Sequence, residues 1–202
     1  MKDLSARFVS PLTASRPRGS RLLEAHSPKL GRRVRLFDHL AFAQWIRLEA
    51  DPATLTFCER PTRVARQPDS CLIDFWVLRP SGQAMLLLES RYDLAVQDVD
   101  GVAVEVAPLA ELAAARMWIS NWSHMLPVIN ATRLLLPKSL SRSILGRVHE
   151  PESLARVERD LAVGDPAIVR GAIFELLRTG RLRAPSLHLQ PLDLHLILEP
   201  AS

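Results

Sequence analysis

The chain has 202 residues, 48% hydrophobic and 24% charged, with a formal net charge of +4. That length suits one domain or two small ones and is enough to bury a core. Two cysteines, Cys58 and Cys71, fit neither a disulfide framework nor a zinc spacing, and no apolar run approaches the roughly 20 residues of a membrane span. A cytoplasmic protein without a membrane partner is expected.

The charge is uneven. Residues 1–35 carry nine basic side chains against two acidic ones, so the remainder is slightly acidic. With Pro11, Pro17 and Pro28 scattered through it, the segment 1–33 reads as a basic, flexible arm suited to a polyanion. Arg32, Arg33 and Arg35 are candidate contacts to a DNA backbone, and a solvated charge run is the plainer reading. Next, Phe37, Leu40, Ala41, Trp45 and Leu48 fall at helical spacing and predict an amphipathic helix over 36–49, stopped by Asp51-Pro52.

Residues 55–64 read as one or two short strands around Pro61. Arg79-Pro80-Ser81-Gly82 is a turn sequence, making 71–78 and 84–91 an antiparallel hairpin. Folding about that turn sets Asp74 opposite a residue between Leu87 and Glu89. Side chains alternate faces along a strand, so Asp74, Glu89 and Arg91 are expected to meet on one face. Two carboxylates aimed at one point repel unless a cation joins them. Mg²⁺ or Mn²⁺ takes oxygen ligands and keeps waters for a phosphodiester reaction. A surface ion pair to Arg91 is the plainer alternative.

The stretch 108–126 predicts a helix begun by Pro108 and able to cover the sheet. Trp118 and Trp122, four apart, read as core rather than as a base-stacking platform. A separate C-terminal unit follows: a helix over 151–162, a helix capped by Asp165-Pro166 and Gly180, then alternating segments through Leu198. Helix, turn, helix and short hairpin is the order of a winged helix, which can bind DNA or protein. A mixed α/β core is expected ahead of it.

Four segments in order resemble the TnsA family, the endonuclease subunit of heteromeric DNA transposases within the PD-(D/E)xK nuclease class. They are Leu48-Glu49-Ala50-Asp51-Pro52, Phe57-Cys58-Glu59-Arg60-Pro61, Ile73-Asp74-Phe75 and Glu89-Ser90-Arg91. The resemblance covers about residues 36–92. It implies a restriction-endonuclease-like mixed sheet flanked by helices over 34–148, and a winged-helix-like domain over 149–202. It further implies a Mg²⁺ or Mn²⁺ ion on Asp74 and Glu89, with Arg91 as the catalytic cation. The implied activity is cleavage of transposon 5′ ends, and the implied partners are DNA, an integrase-type transposase and an AAA+ ATPase regulator. Two positions depart from the pattern. Ala41 stands where the family's helix glutamate belongs, with Asp38 the nearest substitute, and Arg91 replaces the family lysine, which it does not mimic chemically. The alternative implied by these departures is a catalytically inactive subunit that binds DNA and bridges the transposase and ATPase.

Overall fold

The computed structural model describes residues 7–65, 70–89, 97–162 and 164–201. The chain divides into two compact units. One comprises Met1–Glu49 and Ala53–Ala114, the other Ala50–Pro52 and Ala115–Ser202. The boundary therefore falls at Ala114, not at 148–149 as the sequence suggests. The single helix expected over 108–126 is two helices, α2 (Leu109–Ala114) and α3 (Arg116–Thr132). Ala115 between them leaves helical geometry at φ −83°, ψ 6°. The second helix belongs to the C-terminal unit.

The first unit is mixed α/β. It opens with a hairpin, β1 (Leu23–Ser27) against β2 (Arg32–Leu36), which begins inside the expected flexible arm of residues 1–33 and ends just beyond it. Gly31, at φ +65°, supplies the left-handed residue of the turn, and its N–H reaches the Ser27 carbonyl at 2.9 Å. Val34 and Leu36 are buried while Arg33 and Arg35 face outward, a period-two pattern that forms a half-buried strand. Earlier still, Phe8 lies tilted against Trp76 at 5.7 Å and Arg7 donates to the Asp100 carbonyl at 2.7 Å. The basic segment is thus packed from residue 7 onward at several points, because its apolar residues have a sheet to bury against.

Helix α1 (His39–Ala50) leads into the five-stranded sheet, in the order β3 (Thr56–Glu59), β6 (Phe75–Arg79), β7 (Gly82–Leu88), β9 (Val102–Ala107), β8 (Asp98–Val99). β4 (Arg63–Ala65) and β5 (Ser70–Leu72) form a separate two-stranded pair. The expected hairpin is present from Phe75 onward, with Arg79 facing Gly82 across Pro80-Ser81, but Ser70–Leu72 pairs with Arg63–Ala65 instead and residues 90–91 lie outside the described residues. β7 then pairs parallel with β9, so the sheet is mixed, and helices flank it. The β8–β9 turn is Asp100-Gly101, both at positive φ (53° and 76°), the geometry most favoured in a two-residue hairpin. One face buries Cys58, Ile73, Trp76, Leu78, Met85 and Leu87. The residues alternating with them, among them Phe75, Val77 and Leu86, are buried as well, as expected of a sheet covered on both sides.

The second unit packs α3 against α6 (Pro166–Arg178), with α4 (Leu140–Arg147) and α5 (Leu154–Leu161) beside α6. A Cβ on Gly171 of α6 would lie 1.9 Å from Thr132 Oγ1 on α3, so only glycine permits this approach. Asp165 caps α6 by accepting the Ala167 N–H at 2.8 Å, Pro166 begins it, and Gly180 follows its end at φ +70°. α5 begins at Leu154 rather than Pro151, because Glu152–Ser153 (β10) pairs with β12 (Ile197–Pro200). β12 also pairs with β11 (Leu182–Arg183), giving a small antiparallel sheet in the order β10-β12-β11. No helix of the described residues is long and apolar enough to cross a membrane.

Candidate functional site

The two hairpin carboxylates lie at the same end of β7, but not by simple strand alternation. Phe75 faces Leu86, yet the Asp74 N–H also bonds to the Leu86 carbonyl, at 3.1 Å. Two residues therefore oppose one, the signature of a bulge, and a bulge re-aims the side chain it carries. Asp74 sits at 4% exposure with its Oδ2 accepting the Leu88 N–H at 2.9 Å. Its carbonyl accepts the Arg60 N–H at 2.9 Å, so this one residue ties β7 to the end of β3. Glu89, directly after Leu88, is exposed, and its Oε2 accepts the Leu109 N–H at 2.7 Å. An anion there is favoured by the unpaired N–H groups at the start of α2.

Asp38 has a clear structural task. Its Oδ1 accepts the Ala41 N–H at 2.7 Å, the N-cap geometry that explains why α1 begins at His39 rather than at residue 36. The carboxylate offered by the sequence as a stand-in for the missing helix acid is bonded back onto its own helix. Arg91 lies outside the described residues, as do Ser90 and Tyr92. Among the described residues no group of three His, Cys, Asp or Glu side chains is placed to hold a metal ion. A two-carboxylate site would draw its other ligands from water and phosphate.

The three arginines expected to meet DNA divide. Arg32 forms a bidentate pair with Glu59, at 2.8 and 2.7 Å, and Glu59 is 1% exposed. Its charge is matched inside the fold, and the hydrogen bonds to Glu59 raise the guanidinium's already high pKa. Arg35 pairs with Glu24 at 2.7 Å on the outer face of the first hairpin. Arg33 is the exposed one of the three without an ion pair among the described residues.

A second buried polar cluster is absent from the sequence reading, although two of the family-like segments supply it. Glu49, fully buried, accepts the Ser27 hydroxyl and the Lys29 N–H, the latter at 2.7 Å, while Lys29 Nζ reaches the Leu48 carbonyl at 2.8 Å. Arg60, at φ +50°, lies over the Phe37 ring at 4.7 Å and donates to the Arg35 carbonyl. Burial lowers its pKa. Burial first, and then the Glu59 charge, push the neighbouring Cys58 thiol up to about 11. The Leu48–Pro52 and Glu59–Pro61 segments thus anchor the first hairpin to the sheet. The signal for this lay in the buried-strand context of Glu59, which alternation alone would have assigned to a core face.

In the second unit, Arg170 and Arg178, the arginines of α6, are bidentate to Glu158 and Glu175. Both are thus paired within the chain. Trp122 is core at 2% exposure, whereas Trp118 is only half-buried.

No family model matches the chain, and no curated protein matches it.

Proposed function

We propose that the chain is a TnsA-like subunit of a heteromeric DNA transposase, a metal-dependent endonuclease directed at transposon 5′ ends. The observation that carries this reading is the placement of Asp74 and Glu89 at one end of β7, one on a bulge and the other directly after the strand's last residue. A mixed sheet with an antiparallel hairpin feeding a parallel neighbour supports a restriction-endonuclease-like domain. Helices α5 and α6, packed on the strands of a β10-β12-β11 sheet, support a winged-helix-like C-terminal module.

Two carboxylates at one strand end suit a hard divalent ion that also takes water and phosphate oxygens. Such an ion would supply charge neutralisation at the phosphodiester and an activated water. The chain's own contribution is positional. The Leu88 N–H fixes the Asp74 carboxylate, the Leu109 N–H fixes that of Glu89, and Arg91 follows two residues later in sequence.

The test is Mg²⁺-dependent nicking of transposon-end DNA with the integrase-type transposase present. The wild-type chain is expected to cut the 5′ strands, and Asp74→Ala to lower the rate by about two orders of magnitude or more. Equal cleavage by both, or none by either, removes the enzyme reading.

A second reading has its own support. Ala41 at the family's glutamate position and Asp38 engaged as a cap favour a non-catalytic DNA-binding and assembly subunit that bridges transposase and ATPase. The ion-paired arginines of α6 favour protein docking by the C-terminal module over base readout. This version predicts salt-dependent DNA binding that survives loss of both carboxylates. Loss of binding in the Asp74→Ala, Glu89→Ala double variant would count against it.

A further inference from the structure

The exposed apolar side chains of the second unit gather in two places. Leu134, at 90% exposure, and Leu135, at 61%, stand on the connection between α3 and α4. Leu189, at 79%, Leu194 and Ile197 stand in or beside a cleft of about 440 Å³ between residues 185–193 and β12. Every exposed large hydrophobic of that unit among the described residues belongs to one of these places. Apolar residues scattered singly over a surface are ordinary, whereas grouped ones mark contact sites.

The two places carry opposite charge. Residues 134–142 include Lys138 and Arg142, both exposed, and no carboxylate. The cleft is lined by Asp193 and Glu199 and by no Lys or Arg. None of these four side chains forms an ion pair among the described residues. Within one chain the two surfaces do not serve each other, since no residue of 134–142 lines the cleft. We propose that a second copy of this chain is the occupant. The α3–α4 connection of one copy seats Leu134 and Leu135 in the cleft of the next, with Lys138 and Arg142 beside Asp193 and Glu199.

Both surfaces are preformed. On the connection, the Leu135 N–H bonds to the Thr132 carbonyl at 2.7 Å and the Leu140 N–H to the Pro137 carbonyl at 3.0 Å. On the cleft side, buried Asn121 donates to the Leu187 and Gln190 carbonyls and accepts the Leu192 N–H, all at 2.8 Å. Docking therefore orders little new backbone. The contact joins two different surfaces, so it is head-to-tail rather than two-fold symmetric. One loop in one cleft is small beside the roughly 1,200 Å² of a stable complex, and the association is weak and concentration-dependent.

Sedimentation velocity of the full chain, over about a hundredfold range of concentration, tests it. The sedimentation coefficient should rise with concentration. Leu134→Asp spoils the loop and Leu189→Asp spoils the cleft. Each should weaken self-association about tenfold or more, at unchanged melting temperature because both positions are exposed. Lys138→Glu should weaken it severalfold. Mixed in equal amounts, the two leucine variants should associate again, as pairs only, because each brings the surface that the other lacks. A chain that stays monomeric throughout, association untouched by either leucine variant, or a mixture that remains monomeric overturns the proposal.

Discussion

The two units place charge differently. The sheet unit buries Glu49, Glu59 and Asp74 at 0, 1 and 4% exposure, and two of these carboxylates end on backbone N–H groups. The helical unit holds its charge in ion pairs, with Arg147 held between Glu152 and Asp160 and Arg170 gripping the buried Glu158. Strand ends and bulges leave backbone donors for a side chain or water to satisfy, whereas helix interiors satisfy their own and leave only the ends to caps such as Asp165. Acidic residues in the first unit are therefore architectural before they are chemical. Any catalytic role for Asp74 or Glu89 is superimposed on a backbone contact.

The largest expected effect sharpens that contrast. Arg32→Ala strands the buried Glu59 carboxylate and should cost about 3 kcal/mol in urea unfolding. Arg35→Ala, on the exposed Glu24 pair, should cost less than about 0.5 kcal/mol. Similar losses at both sites would erase the distinction between buried and outer charge in the first hairpin.

Asp74→Ala comes next, removing the acceptor of the Leu88 N–H at a cost of about 2 kcal/mol. Asp74→Asn keeps an acceptor oxygen and should recover much of that stability without recovering cleavage. Smaller still, Asp38→Ala should cost about 1 kcal/mol and Asp38→Ser close to nothing, as befits an N-cap. If Asp38→Ser abolishes DNA cleavage at unchanged stability, Asp38 is more than a cap.

A further effect concerns pH. The Cys58 thiol is raised from its ordinary 9.0 to about 11. Below pH 9 the thiol is neutral in both folded and unfolded chain. Between 9 and 11 the unfolded chain releases its proton and the folded chain keeps it, so stability falls across that window. The urea midpoint should drop less from pH 8 to pH 10.5 in Cys58→Ala than in the wild type. At neutral pH iodoacetamide should label Cys71, which is partly exposed, well before Cys58.

Local chemistry was legible in the sequence wherever one residue type dictates geometry. Proline and glycine set the β6–β7 turn, and Asp165-Pro166 with Gly180 framed α6. Alternation failed at Asp74, because a bulge changes the face of a side chain without leaving a mark in composition. The first hairpin was hidden by its own charge. Val34 and Leu36 alternate with arginines that read as a solvated run, while one of the flanking arginines turns inward to Glu59. The boundary at Ala114 was masked by an alanine-rich stretch of high helix propensity, in which nothing local announces the break. At the candidate site the carboxylates were found by residue type and their backbone partners were not, since those come from tertiary pairing.

The central claim is that Asp74 and Glu89 share one divalent ion at the end of β7. Titrating the full chain with Mn²⁺ and following the loss of the free-ion electron paramagnetic resonance signal tests it directly. One bound ion is predicted for the wild type and for Asp38→Ser, and none for Asp74→Ala or Glu89→Ala under conditions where each variant remains folded. An ion retained in both single-carboxylate variants, or none in the wild type, would contradict the account.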